Sequence, residues 1–462
     1  MNRHVFREYD IRGRADRDLD DAFVRDLGRA LVAELRARSG PDAPLEVLTA
    51  RDCRKSSDRI HAALTEGITA AGADAIDIGV QPTPVLYFAA HHRPSAGAVI
   101  VTGSHNPPED NGFKLLAGKA ALFGDDIAKL ADRIDSRDIP DAAEPGRARS
   151  LDALSSYLEH AENALRLGER RPKVVVDAGN GAGGPAAVAL YERLGFEVVP
   201  LHCEMDGSFP NHHPDPTEAK NLADLQAAVA REGAEVGLAL DGDGDRLGAI
   251  DGRGRILWGD QLMLLLGRAI LEERPGATFI AEVKCSQMLY DELARAGGHP
   301  IMWKVGHSLI KAKIQAEGAA LGGEMSGHLF FNDRYPGYDD AIYAGARLLE
   351  LLSRDDRPLS ARFDELPATH TTPELRVECP DAQKFDVVAR AARSLGARDD
   401  VLDVVDIDGA RARLQGGWGL VRASNTQPAL VIRCEAESQA RLDEIRAALE
   451  RTIADAKRDA AP

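Results

Sequence analysis

Apolar residues are distributed along the chain in two alternating rhythms. From residue 45 onward, short and nearly continuous apolar runs alternate with segments of helical periodicity. Strands are predicted over 45–48, 73–80 and 96–101, with helices over 57–71 and 83–91 between them. This β-α-β alternation marks a sheet with parallel strands, because a parallel pair needs a long crossover and a helix is its usual form. The rhythm restarts at 173–177 (KVVVD), continues through 196–201 and reaches 236–240 (VGLAL) just before an acidic loop. A third round runs from 278–283 through 301–303 to 319–322. Each round ends in a strand followed by a polar loop: TGSHNPP, DGDGDR and GGEMSGH in turn.

After residue 366 the pattern changes. A strand over 374–378, a helix over 382–395, strands around 401–414 and 419–435 and a long helix from 438 read as a small α+β domain. Breaks at 139–147, at the turn 251–254 and after 366 give four domains, 1–150, 151–254, 255–367 and 368–462. The fold class expected is α/β: three related mixed-sheet domains and a smaller C-terminal α+β domain. No close sequence repeat joins the first three, so their kinship is inferred from the rhythm alone.

A length of 462 residues accommodates three or four such units. With 44% hydrophobic and 28% charged residues the chain has an ordinary globular composition, which removes collagen-like, mucin-like and largely disordered readings. Lys plus Arg number 57 against 74 Asp plus Glu, a net charge of −17. Nucleic acid would therefore meet a repulsive average field, whereas an anionic small ligand is still allowed in a locally basic pocket. The five cysteines (Cys53, Cys203, Cys285, Cys379 and Cys434) are odd in number and form no C-x-x-C pair, as expected in a reducing compartment. No signal-like start and no apolar run of membrane-spanning length is present in the sequence, so a cytoplasmic protein with no membrane partner is expected.

The acidic loop offers the sharpest chemistry. Asp241, Asp243 and Asp245 alternate with glycines after a buried-strand pattern, and carboxylates at i, i+2 and i+4 on a flexible turn suit one hard cation such as Mg²⁺. An EF-hand is excluded, because its sixth and twelfth positions fall on Arg246 and Gly252. The plain alternative is an acidic surface turn, which is disfavoured because three like charges so close repel. Ser104 in TGSHNPP is a nucleophile or phosphate-carrier candidate; an acyl-transfer elbow would require glycine where Thr102 stands.

The run from Gly179 to Gly184 formally fits a dinucleotide fingerprint, with Glu204 twenty residues beyond, although glycines at such a turn also serve simple packing. Arg422, Ser424, Asn425 and Thr426 in RASNTQP place a guanidinium, hydroxyls and an amide where they can converge on a phosphate dianion. Glu324 and Ser326 in GEMSGH suit bidentate bonding of adjacent sugar hydroxyls. Each of these loops, taken alone, also reads as a plain turn.

Together the loops resemble the α-D-phosphohexomutase family, and its bacterial phosphomannomutase/phosphoglucomutase members in particular. The resemblance runs in order through FREYDIRG, PTPVLYFAA, TGSHNPPEDNGFK, NHHPDPTEAKNL, DGDGDR, WKVGHSLIK, GGEMSGH and RASNTQP. Departures are small: RDCRKSS at 51–57 is an unusual version of an RDGR segment, and Val305 and Gln427 stand where threonine is familiar.

The resemblance implies four domains round a central cleft, with each domain contributing one loop. It implies a reversible conversion of hexose 1-phosphate to hexose 6-phosphate, of mannose or glucose, through a phosphoserine and a hexose 1,6-bisphosphate. Ser104 is then the phosphorylated residue, with Mg²⁺ held by Ser104, Asp241, Asp243 and Asp245. Glu324 and Ser326 read sugar hydroxyls, while Arg422, Ser424, Asn425 and Thr426 cradle the non-reacting phosphate on a movable domain. Tyr9, Arg12, His105, Lys114, Arg246, Lys284, His307 and His328 fall at matching cleft positions, with His328 or His307 as the proton carrier. Phosphorylated hexoses are the expected partners of a monomer. A Mg²⁺ phosphatase, a nicotinamide dehydrogenase and a non-catalytic sugar-phosphate binder stay open on the sequence alone.

Overall fold

The strands expected over 45–48 and 96–101 form as Glu46–Arg51, three residues longer at its end, and Gly97–Val101, and they lie side by side in parallel at the centre of the first sheet. Gly97–Val101 is buried along its whole length, as a strand covered on both faces should be. This computed structural model describes residues 3–40, 45–425 and 427–460. The chain divides into two compact units, Met1–Leu262 with Ser326–Phe363 and Met263–Met325 with Asp364–Pro462.

In the first unit, one sheet runs in the order Ile11–Arg14, Asp110–Ala117, Gly97–Val101, Glu46–Arg51, Asp74–Val80, Ala148–Ser150. Asp110–Ala117 is antiparallel to both of its neighbours. Its sequence, DNGFKLLA, opens on a turn-like Asn-Gly pair, which hid it from the hydrophobic rhythm. The second sheet is ordered Ile256–Leu257, Leu247–Asp251, Val236–Leu240, Val174–Asp177, Val198–Leu201. Val236–Leu240 is parallel to Val174–Asp177 but antiparallel to Leu247–Asp251, with Leu240 opposite Leu247. The acidic loop is therefore a hairpin connection that starts at the carboxyl end of a parallel strand. The turn at 251–254 brings Ile256–Leu257 onto the edge of the same sheet.

The helix Ala341–Ser353 is buried at all thirteen positions and packs against the helix Gly184–Arg193 and the strands Leu247–Asp251 and Leu329–Phe331. Asp340 caps it by accepting from Tyr343 N at 2.8 Å. The same carboxylate accepts from the Tyr335 hydroxyl at 2.8 Å and the Tyr157 hydroxyl at 3.1 Å. At its start, Ala341 N donates to the Gly244 carbonyl in the acidic loop at 3.2 Å.

In the second unit, Thr278–Glu282 lies between Leu321–Gly323 and His299–Trp303, all parallel. The C-terminal sheet is antiparallel: His370–Thr371 and Leu375–Glu378 both pair with Ala429–Ala436, followed by Gly417–Ala423, Ala410–Leu414 and Val401–Val405. Helices Asp381–Gly396 and Gln439–Asp459 close its core. Arg411 ties this sheet to the parallel one. Its guanidinium stacks 3.8 Å from the Trp418 ring and donates to the carbonyls of Val283 and Cys285 at 2.6 and 2.9 Å.

Burial pushes the Asp340 carboxyl up to about 7, against the pull of the Tyr343 amide and the two tyrosine hydroxyls. Between pH 4 and 7 the native state then holds this proton more tightly than the unfolded chain, so its contribution to stability falls as pH rises through that window. Urea unfolding of wild type and Asp340→Asn across the window should show the wild type losing up to about 4 kcal/mol relative to the variant. A difference that does not vary with pH would show that the carboxyl is ionised throughout.

Candidate active site

Ser104 follows the buried strand Gly97–Val101 and has φ of 46°, the left-handed region unusual for a side chain other than glycine. Its amide donates to Thr102 Oγ1 at 2.9 Å, and the Gly103 amide donates to Asp52 Oδ2 at 3.0 Å. The main clamp on this loop is Arg54. Its buried guanidinium donates to the carbonyls of Ser104, Asn106, Pro107 and Asp110 at 2.7, 2.6, 2.5 and 3.1 Å and faces Asp52 at 3.2 Å. A Cβ on Gly103 would lie 2.3 Å from Arg54 Nε, so only glycine admits the clamp.

The Ser104 hydroxyl donates to Asp241 Oδ2 at 2.8 Å and lies 3.1 Å from His105 Nδ1. Burial, then Arg246 and Arg12, push the His105 ring well below its ordinary range, so it is neutral at pH 7. A Cβ on Gly242 would stand 2.3 Å from the Ser104 carbonyl oxygen; that glycine is what lets the serine and aspartate loops touch.

Asp241, Asp243 and Asp245 are completely buried, and one oxygen from each can be chosen so that all three lie within 4.8 Å of one another. Asp241 accepts from the Asp245 and Arg246 amides. Burial, then the charges of Asp245 and Asp243, push the Asp241 carboxyl well up. Burial acts the same way on Asp243, but Lys114 and the Thr83 hydroxyl hold it below the ordinary carboxylate range. Lys114, on Asp110–Ala117, reaches Asp243 Oδ2 at 2.6 Å and also pairs with Asp245 Oδ2. Burial would strip the Lys114 proton, and these two carboxylates keep it. Arg12 donates to Asp10 at 2.7 Å, and the charges of Asp10, Asp243 and Asp245 outweigh its burial.

Among the described residues, one oxygen each of Asp243 and Asp245 is buried with no hydrogen-bond partner. Together with Asp241 and the Ser104 hydroxyl they make an all-oxygen donor set with lone pairs still to be satisfied, which suits a small hard cation.

Arg246 Nε donates to His328 Nε2 at 2.9 Å. Because arginine only donates, the ring proton of His328 sits on Nδ1, which faces Asp339 Oδ2 at 3.2 Å and Asp245 Oδ1 at 3.7 Å. Tyr9 precedes the strand Ile11–Arg14, and Ser326 precedes Gly327, whose carbonyl accepts from Leu247 N at 3.0 Å.

The other expected residues lie in the second unit. Lys284 Nζ is 3.1 Å from Glu374 and 3.7 Å from Glu282. Burial lowers its pKa, and Glu282, Glu374 and Glu324 overcome that. Glu324 Oε1 accepts from Gly306 N at 2.7 Å, just before His307 opens the helix His307–Glu317. Arg422 Nη2 is 3.2 Å from Asp408. The Ser424 hydroxyl accepts from Gln427 N at 3.2 Å, Asn425 is half-buried, and Thr426 lies outside the described residues.

Two residues that shape these loops were not singled out from the sequence. Arg54 sat in a segment read only as a variant motif. Lys384 lies on the buried stripe 384, 387, 388, 391, 395 of its helix, where an apolar side chain is the norm, and donates to the carbonyls of Ser424 and Gln427 at 2.6 and 3.3 Å. A charge interrupting an apolar stripe was the available signal. The glycines from 179 to 184 serve packing: added Cβ atoms would lie 2.7 Å from the Gly242 carbonyl oxygen at Gly181 and 2.4 Å from that of Cys203 at Gly184. Glu204 is engaged through its backbone carbonyl, by Asn180 Nδ2 at 2.9 Å.

Loss of the clamp should loosen the Ser104 loop selectively. Arg54→Ala removes a buried charge that serves four carbonyls and leaves Asp52 without its buried counter-charge, a loss of about 3 kcal/mol or more. Hydrogen exchange of peptides covering 102–112 should accelerate by about 100-fold or more, with the C-terminal sheet unaffected. Unchanged protection there would contradict the clamp.

Family models for the phosphoglucomutase/phosphomannomutase domains match the chain in order: α/β/α domain I at residues 3–139, domain II at 155–254, domain III at 258–370 and the C-terminal domain at 374–452. A phosphomannomutase/phosphoglucomutase of Pseudomonas aeruginosa is 42% identical over 442 residues, covering 96% of this chain and 94% of that one. A phosphoglucomutase of Neisseria gonorrhoeae is 40% identical over 446 residues, covering 96% and 95%. A phosphoglucomutase/phosphomannomutase family protein of known structure from Burkholderia thailandensis superposes with a TM-score of 0.93 at 42% identity, covering 99% of this chain and 98% of that one. With four matched domains and identity at this level across almost all of its length, the chain belongs to the phosphoglucomutase/phosphomannomutase family.

Proposed function

We propose that this enzyme interconverts the 1- and 6-phosphates of a hexose, mannose or glucose, by phosphoryl transfer through phospho-Ser104 and a hexose 1,6-bisphosphate, and that it depends on Mg²⁺. The observation that carries this reading is the Ser104 hydroxyl bonded at 2.8 Å to Asp241 of a buried aspartate triad, two of whose oxygens have no hydrogen-bond partner among the described residues. We assign residues 1–150 to the phosphoserine domain, 151–254 to the metal-loop domain, 255–367 to sugar recognition and 368–462 to phosphate binding.

In the transfer, a sugar hydroxyl oxygen bonds to the phosphorus as the bond to Ser104 Oγ breaks, and the hydroxyl proton leaves. Negative charge is spread over the transferring oxygens. Arg12 and Arg246, whose charges act on His105, and Lys114 and Arg246, whose charges act on Asp241, supply fixed positive charge that can follow it. Asp241, Asp243, Asp245 and Ser104 would hold Mg²⁺, which supplies further neutralisation of those oxygens when bound. His328 Nε2 can accept the sugar proton once Arg246 turns from the ring to the phosphoryl oxygens, while the Asp339 carboxylate, 3.2 Å from Nδ1, favours the positive charge that then develops on the ring. His105, held neutral, is suited to orient the serine hydroxyl. Glu324 and Ser326 would read sugar hydroxyls, with the Lys284 charge acting on Glu324. Arg422, Ser424, Asn425 and Thr426 would hold the phosphate not being transferred. One cradle then serves either end of the sugar after the bisphosphate turns round.

Intact-protein mass should rise by one phosphate after incubation with a hexose 1,6-bisphosphate. Ser104→Ala should lose both that increment and nearly all turnover; phosphate found on another residue would overturn the assignment. EDTA should stop turnover and Mg²⁺ restore it. Asp243→Asn should weaken Mg²⁺ binding about tenfold or more, measured by titration calorimetry; full activity in metal-free buffer would remove the metal from the reading.

A further inference from the structure

Asp408 lies in the turn between Val401–Val405 and Ala410–Leu414, outside every motif that marks the site. It is held from two sides. Ile407 packs with Val305 and Met302 on the buried cluster of Val283, Trp418 and Leu420. On the other side, a Cβ on Gly409 would lie 2.4 Å from the Val421 carbonyl oxygen and 2.6 Å from Arg422 Cβ, so the turn is pressed against the strand that carries Arg422.

From that position one carboxylate oxygen, Asp408 Oδ2, makes two contacts: Arg422 Nη2 at 3.2 Å and the Val305 amide at 2.9 Å. The next amide in the chain, Gly306, donates to Glu324 Oε1 at 2.7 Å. A continuous series therefore runs from the Arg422 guanidinium through Asp408 and the 305–306 backbone to the Glu324 carboxylate. Asp408 does not saturate the guanidinium, since Arg422 Nε is buried with no hydrogen-bond partner among the described residues.

We propose that Asp408 is a positioning residue that sets the distance between the phosphate grip and the sugar reader, so that a hexose phosphate is recognised as one object of fixed length. The inference rests on the reading of Arg422 and Glu324 given above. A ligand that touches only the cradle has no use for this gauge, whereas a ligand that must satisfy both ends does.

The contrast to measure is therefore between hexose 1-phosphate and inorganic phosphate, the latter as a competitive inhibitor. Asp408→Ala should weaken binding of hexose 1-phosphate about tenfold, the scale of one lost hydrogen bond to a charged group. The inhibition constant of inorganic phosphate should change less than about threefold, and kcat should fall much less than KM rises. Asp408→Asn keeps an acceptor for the Val305 amide but not the charge that faces Arg422, so it should keep a smaller loss, about threefold for hexose 1-phosphate with no change for inorganic phosphate. It also carries the test if the alanine variant folds poorly.

Equal losses for the two ligands in both variants would reduce Asp408 to a counter-ion of Arg422, and no loss for either would remove it from recognition altogether; both outcomes overturn the proposal. Arg422→Ala is the control for the underlying reading. It should weaken both ligands, and if it weakens neither, the cradle assignment fails, whatever Asp408 does.

Discussion

Three carboxylates buried within five residues of one another cannot all be ionised without positive charge beside them. The ammonium of Lys114, between Asp243 and Asp245, is the charge that makes the loop tenable in this fold. Much of the first unit is arranged to deliver it. Asp110–Ala117 must run antiparallel beside Gly97–Val101 for Lys114 to stand opposite Ile100 and enter the acidic hairpin. Thr83 at the start of its helix and Ala341 at the start of another hold the same hairpin by Asp243 and Gly244. Elements from widely separated parts of the sequence thus converge on one short loop whose electrostatics would otherwise expel it into water.

The parallel strands and their helices were legible because both faces of such strands are covered and the apolar run is nearly unbroken. Thr278–Glu282 and Val236–Leu240 lie within two residues of where the pattern puts them. Asp110–Ala117 and Leu247–Asp251 were not visible, since each is embedded in polar, glycine-containing loops and owes its strand conformation to pairing with a neighbour. The first helix, Asp21–Ser39, precedes residue 45, where the β-α-β rhythm begins.

At the site, residues with reactive groups in glycine-containing loops stand out through the ordered set of such loops, since each loop alone also reads as a plain turn. Arg54 and Lys384 do not, because their work is to satisfy backbone carbonyls, and such a partner leaves no trace in the sequence. The His328 tautomer was equally hidden: it depends on which neighbour donates, and that neighbour, Arg246, is 82 positions away. Dinucleotide-like glycines, by contrast, were easy to see, and their meaning changed once the backbone of Gly242 and Cys203 was found pressed against them.

The left-handed backbone at Ser104 decides between two amino acids that chemistry alone would treat as equals. Threonine offers the same kind of hydroxyl, yet a branched Cβ in that region of backbone space is a true outlier, with strain on the order of 1–3 kcal/mol. In this loop the choice between the two hydroxyl residues is therefore made by torsion angle before reactivity enters. A lineage of such proteins could drift at many surrounding positions and still be confined to serine here, as long as the chain turned the same corner.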